Sequence, residues 1–257
     1  MTPYLPDRTP DITVFYKSVG EIRLPLHVYL PEGFDAKRSY PTAVVIHGGG
    51  WHAVSTPMDA WDGGHMRGNA KYFAARGYVA VAFSYRDVSL PDTDVSDLVS
   101  DCADALAYIA ESLPFIDKRD CFFIGDSAGA HLALCLGMPL ACDPVIRPRA
   151  IVACNPVTDC VSDTWKYIGD EEMRRRFSPL LHPGKIDARL LVMHGDADHV
   201  VPIEDSRRFA QDMKEKGTDV TFIALPDLRH AFVLFDYRRE IADVLVTHAA
   251  IDAFLGK

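Results

Sequence analysis

The segment "IGDSAGAHLAL", residues 124–134, sets one serine between two glycines, after an apolar run and before a stretch of helical character. In the pattern G-x-S-x-G at a strand-to-helix turn, a tight and strained bend pushes the serine hydroxyl out of the backbone, where it can attack a carbonyl carbon. A glycine-rich turn with no chemistry would be spelled the same way, so Ser127 needs partners before it reads as a nucleophile. A serine hydroxyl is a weak nucleophile near neutral pH. The chemistry requires a histidine to take its proton, an acid to orient that histidine, and hydrogen-bond donors for the oxyanion that develops.

Each partner has a candidate. The stretch "LPDLRHAF" follows the strand-like run "VTFIAL" and places His230 in the loop where such a base belongs. His131 follows the serine on the helix, His248 lies in the terminal helix and His27 in the N-terminal hairpin, all positions that suit a structural role. The stretch "LLVMHGDADHVVP" offers two acids, Asp196 and Asp198, after the preceding strand-like run. The chain order Ser, Asp, His is the one this architecture imposes. Aspartates in such a loop also shape turns and cap helices, a role that suits Asp196. In "VVIHGGGW", the three glycines after a buried strand let backbone N–H groups approach a ligand oxygen with no side chain in the way. A phosphate cradle reads less well there, because neither GxGxxG nor a following Lys-Ser/Thr is present.

The elements that must position these residues alternate along the chain. Strand-like runs rich in Val, Ile and Phe fall at 12–18, 23–30, 42–47, 79–85, 121–125, 150–155, 190–195 and 220–225, separated by segments of helical period. This alternation predicts an α/β fold, an eight-stranded, mostly parallel sheet covered by helices on both faces. The first two runs alternate apolar and polar residues across "VGEI" and predict a hairpin at the sheet edge. Val95, Leu98, Val99, Cys102, Leu106 and Ile109 share one helical face behind the start signal "PDTD", and a last helix spans about 238–254. The length of 257 residues predicts one domain over 1–257. Two segments break the rhythm, about 51–66 and 156–184, and read as short lids over the site.

At this point the sequence resembles the α/β-hydrolase esterases of the hormone-sensitive-lipase-like type, and more closely the small bacterial carbohydrate acetyl and feruloyl esterases. The resemblance rests on "HGGGW" at 47–51, "SYR" at 84–86, "GDSAG" at 125–129, "HGDAD" at 194–198 and "RHAF" at 229–232, and covers about 40–235. It implies the α/β-hydrolase fold, with Ser127 as nucleophile, His230 as base and Asp198 as the acid of an HGxxD pattern. It also implies backbone oxyanion donors at Gly49, Gly50 and Ala128. Two departures stand out. Ala130 replaces the second glycine of the usual SAGG, and the chain opens on a hairpin in place of a large helical cap.

The implied activity is that of a serine esterase removing short acyl groups, acetyl first, from a carbohydrate or another small polar alcohol. An arylformamidase acting on N-formylkynurenine is the alternative within hydrolases, since that group carries an HGGxW motif and the same elbow. A peptidase of the prolyl oligopeptidase type ranks lower, because the chain is too short to add a propeller. A ligand receptor derived from this family would have lost the histidine that this chain keeps. Trp51, His52, Trp61 and Trp165 are the candidate substrate-binding residues, with Asp62, His65 and Tyr167 beside them, because aromatic faces next to polar groups suit a sugar better than a lipid.

The bulk composition narrows the partners. A net charge of −9 argues against nucleic acid or an anionic membrane surface, both of which are bound through clustered Lys and Arg. The basic run Arg174–Arg176 follows Glu171 and Glu172 and reads as a solvated helix face. No apolar run reaches the ~18 residues that a spanning helix needs. The opening residues carry no secretory signal pattern, and the six cysteines form no CxxC pair, which together predict a cytoplasmic protein with reduced, buried thiols. The expected partner is a small-molecule ester, an acetylated oligosaccharide being one candidate, with no cofactor and no metal. A homodimer is compatible with this composition.

Overall fold

The structure, a computed structural model, describes residues 9–52, 64–140, 145–235 and 241–256. Its eight strands are β1 (Ile12–Val19), β2 (Ile22–Tyr29), β3 (Tyr40–Ile46), β4 (Val79–Phe83), β5 (Ile116–Asp126), β6 (Ala150–Cys154), β7 (Arg189–Gly195) and β8 (Val220–Leu225). The helices are α1 (Gly64–Ala74), α2 (Val95–Ser112), α3 (Ala128–Gly137), α4 (Glu171–Arg176), α5 (Ile203–Glu215) and α6 (Ile241–Leu255). The strands form one sheet in the order β1-β2-β4-β3-β5-β6-β7-β8. β1 and β2 make the expected antiparallel edge hairpin, β2 pairs antiparallel with β4, and every later pairing is parallel. The fold is that of an α/β hydrolase.

The parallel strands are apolar throughout because both of their faces are covered. Val44, Ile46, Val81 and Phe123 point into a core shared with α2 and α3, while Ala43, Val45, Ala82 and Phe122 point into a second core under α1 and α6. Helix α2 buries the six residues its period predicted and adds Asp101 and Ala105. Its start signal works through Asp94, whose carboxylate accepts from the Ser96 amide at 2.8 Å while Asp97 accepts from the Asp94 amide at 3.2 Å. This reciprocal cap satisfies two of the amides that a helix leaves without partners.

Three local readings change. β5 begins five residues earlier than its apolar run, because "IDKRD" continues the ladder beside Tyr40 despite its polarity. Residues 156–184 are built from two short 3-10 turns, at Asp163–Ile168 and Pro179–Leu181, with α4 between them. Within α4 only part of the basic run is solvated. Arg175 pairs with Glu171 at the surface, whereas Arg174 turns inward and donates to the carbonyls of Val161 and Ser162 at 2.8 and 3.2 Å. The described cysteines 102, 121, 135, 154 and 160 are buried free thiols, and Cys142 lies outside the described residues. Among the described residues, no helix is long and apolar enough to cross a membrane.

Candidate active site

The C-terminal ends of β3 to β8 open on one edge of the sheet, and Gly49, Gly50, Ser127, Asp198 and His230 follow strands at that edge, with Ala128 opening α3 beside them. Ser127 stands between β5 and α3 with φ 55° and ψ −119°, a backbone conformation that costs a non-glycine residue free energy. Two glycines make that turn possible. A Cβ at Gly129 would collide with the carbonyl oxygens of Ile46 and His47, and one at Gly125 with the backbone of Gly129. The Ser127 amide donates to the Cys154 carbonyl at 2.9 Å, which ties the elbow to β6.

His230 joins this serine to a buried acid. Its Nε2 lies 2.9 Å from Ser127 Oγ and its Nδ1 lies 2.7 Å from Asp198 Oδ2. A carboxylate only accepts, so Nδ1 carries the hydrogen and Nε2 is left to accept from the serine hydroxyl. The Asp198 side chain is fully enclosed. Burial alone would raise its pKa, yet hydrogen bonds from His194, His230 and the Val200 amide outweigh that cost and hold it well below the usual carboxylate range. Oδ1 accepts from the amides of Val200 and Val201 at 2.8 and 3.1 Å. The other acid of the motif, Asp196, accepts from the Asp227 amide at 2.7 Å and shapes the turn below the histidine loop.

The glycine loop after β3 lies against the elbow. A Cβ on Gly48 would stand 3.2 Å from Ser127 Cβ, so the loop backbone approaches the serine as closely as a side chain would. Gly49 and Gly50 have φ of 98° and 66°, which turns the chain in a way L side chains resist. Tyr85 of "SYR" anchors the loop from below, donating to the His47 carbonyl at 2.8 Å and stacking on the His47 ring. Ala128 is the first residue of α3, so its amide has no partner within the helix and sits at the positive end of the helix dipole.

Sequence reasoning missed three polar residues behind this frame. Asn155, with φ 37°, donates to Asp126 Oδ1 at 3.1 Å and accepts the Ala231 amide at 3.1 Å, joining the residue before the serine to the residue after the histidine. His194 lies 3.1 Å from the same Asp198 oxygen that His230 uses, and its far nitrogen meets Ser206 at 2.8 Å. Asp87, buried after β4, receives His52 at 2.9 Å. The HGxxD spelling pointed at His194; nothing in the sequence marked Asn155.

The aromatic residues expected to meet substrate divide. Trp51 is a correction: its side chain is wholly buried, donating to His131 Nδ1 at 3.2 Å and meeting the rings of Trp165 and Tyr167 edge-on, so it forms the floor under the glycine loop. An indole N–H buried among rings needs an acceptor, and His131 supplies it because its Nε2–H is committed to the Phe177 carbonyl at 2.7 Å. Trp165 is also buried, at 8% exposure. Among the described side chains of this group, His52 and Tyr167 reach the surface. Trp61 and most of the 51–66 segment lie outside the described residues.

Fold and site together define a serine hydrolase of the α/β-hydrolase class. The Prolyl oligopeptidase family model matches residues 93–250 and the BD-FAE model matches residues 26–143. The chain belongs to the prolyl oligopeptidase family. Over 245 residues it is 26% identical to the probable dipeptidyl-peptidase 5 of Aspergillus terreus, covering 86% of this chain and 32% of that protein. It thus spans about a third of the length of such curated relatives. Among solved structures, esterase 2 of Thermogutta terrifontis in its apo form is 28% identical, with a TM-score of 0.81 over 98% of this chain and 96% of that one. The same esterase phosphorylated by paraoxon superposes with a TM-score of 0.83 at 27% identity, covering 98% of this chain and 95% of that one.

Proposed function

We propose that this chain hydrolyses esters of short acyl groups, acetyl to butyryl, on small polar alcohols. Ser127 is the nucleophile, His230 the base and Asp198 the acid that orients it, with the amides of Gly49, Gly50 and Ala128 receiving the oxyanion. The observation that carries this reading is the continuous hydrogen-bonded series from Ser127 Oγ through His230 to the enclosed Asp198.

In this reading Ser127 Oγ attacks the ester carbonyl carbon as its proton passes to His230 Nε2, and the carbonyl oxygen takes up the negative charge beside the loop amides. The tetrahedral intermediate expels the alcohol, which leaves with the proton from His230, and the acyl group stays on the serine. Water then loses a proton to His230 and attacks the acyl carbon; the acid departs and the proton returns to Ser127 Oγ. The Asp198 carboxylate stays ionised throughout and stabilises the imidazolium formed at each step.

Short acyl groups are favoured because Trp51, which ends the glycine loop, is buried against Trp165 with ring centroids 5.4 Å apart and leaves that space packed with side chains. The propionate-bound and butyrate-bound structures of the Thermogutta terrifontis esterase support the same range. A series of kcat/KM values over p-nitrophenyl acetate, butyrate, octanoate and palmitate tests it. A methylene that finds an apolar pocket contributes up to about 0.8 kcal/mol, so efficiency should fall once the chain outgrows the site. Octanoate or palmitate as the best substrate would contradict it.

A second reading, release of N-terminal peptides or acylated residues, is favoured by relatives named dipeptidyl-peptidase 5 and acylamino-acid-releasing enzyme 2. Alanyl-alanyl p-nitroanilide and acetyl-alanyl p-nitroanilide, run beside the esters, decide between the two by their kcat/KM.

A further inference from the structure

Beside the glycine loop lies a second Asp–His pair that the hydrolytic steps do not use. Asp87 is buried, accepts from the amide and hydroxyl of Ser89 at 2.8 and 2.7 Å, and also meets His52 Nδ1 at 2.9 Å. Because the carboxylate can only accept, His52 Nδ1 carries a hydrogen, and in the imidazole form of the ring Nε2 is an acceptor. The His52 side chain is 45% exposed, and among the described residues Nε2 has no hydrogen-bond partner. Tyr167 faces the ring nearly parallel, with centroids 5.8 Å apart and 11° between planes, and is itself 45% exposed. Both bound the space over the oxyanion loop. A Cβ at Gly50 would lie 3.4 Å from the Tyr167 hydroxyl and 3.6 Å from His52 Cδ2.

The hydrogen bond to the buried Asp87 carboxylate fixes the orientation of the exposed ring and with it the position of Nε2. Here the pair supplies an acceptor at Nε2 and a hydroxyl able to donate or accept at Tyr167, which together satisfy one ligand hydroxyl. We infer that His52 and Tyr167 form a polar subsite for a free hydroxyl carried by the ester, close to the scissile bond, so that polyol or sugar monoesters and hydroxyacyl esters are preferred over their plain alkyl counterparts. This inference rests on the esterase reading and narrows its substrate class. It also assigns His52 one specific task, to accept a hydrogen bond from the substrate.

The test compares matched esters in two arms. In the alcohol arm, 2-hydroxyethyl propionate is set against propyl propionate; in the acyl arm, ethyl glycolate is set against ethyl propionate. Each pair differs by a hydroxyl in place of a methyl, and comparing wild type with variants cancels the intrinsic reactivity of the esters. The kcat/KM preference for the hydroxylated member should fall about tenfold in His52→Phe and several-fold in Tyr167→Phe, in one arm, and that arm identifies whether the hydroxyl belongs to the alcohol or to the acyl group. His52→Phe takes one hydrogen bond from the buried Asp87 carboxylate, so circular dichroism and thermal melts establish that each variant is folded, and Tyr167→Phe, which touches no buried charge, carries the test by itself should His52→Phe unfold. An unchanged preference in both arms overturns the subsite while leaving the hydrolase reading intact. A wild type that cleaves none of the four esters overturns both, and labelling of Ser127 by paraoxon distinguishes that case from a substrate poorly matched to the site.

Discussion

His230 holds its position through two atoms at once, and the two aspartates of "HGDAD" separate on that ground. Asp198 meets His230 Nδ1 directly, whereas the Asp196 carboxylate accepts from the Asp227 amide. Asp198→Asn should therefore lower kcat by about 10³-fold or more, because an amide can present the imidazole with the wrong hydrogen, while Asp196→Asn should change kcat by less than about fivefold. Steady-state kinetics on p-nitrophenyl acetate checks this, and the reverse order of effects would reassign the acid. Ser127→Ala should cost about 10⁴-fold or more in kcat/KM with the circular dichroism spectrum unchanged.

At the scale of elements, the site is an assembly of strand ends, and Asn155 is the side chain that ties three of them together. It leaves β6, receives the loop that follows β8 and holds the end of β5. Asn155→Ala removes both bonds and lets the serine and histidine loops drift relative to one another. A misplacement of about 1 Å between reacting groups can cost about 10²-fold, so kcat should fall by about 10- to 100-fold with KM changed far less. A change confined to KM would show that Asn155 does not set that distance.

The same scale explains what the sequence made legible. Parallel strands buried on both faces spell themselves as continuous apolar runs, and the glycines of "GDSAG" and "HGGGW" mark places where two backbones must touch, so the sheet, the elbow and the glycine loop could be read directly. Asn155 could not, because its partners lie 29 and 76 residues away and a lone Asn after a strand has the spelling of an ordinary turn. Trp51 was misassigned for a related reason. A tryptophan next to a catalytic loop suits a binding wall as well as a floor, and the acceptor that pulls it inward, His131, lies 80 residues further on.

Across the whole molecule, buried neutral histidines couple folding to pH. His131 and His248 are enclosed, and burial lowers each pKa to about 4 from its ordinary value near 6.5. Below about pH 6.5 the unfolded chain takes up two protons that the folded chain refuses until about pH 4. The stability these histidines contribute is thus complete above pH 6.5 and lost as pH falls through that window, at about 2–3 kcal/mol per pH unit for the pair. Urea unfolding at pH 7.5, 6.5, 5.5 and 4.5 should give constant stability between the first two and a steep decline over the last two. Equal stability at pH 6.5 and 4.5 would contradict the burial of these two rings in neutral form.

The central claim, that one serine at the end of β5 carries the hydrolysis, is tested most directly by titrating the protein with paraoxon and locating the phosphoryl group by peptide mass spectrometry. One phosphoryl group per chain is expected, on Ser127, with loss of p-nitrophenyl acetate hydrolysis in proportion to its occupancy. Full inactivation with Ser127 unmodified, or hydrolysis that persists once Ser127 is fully phosphorylated, would contradict it.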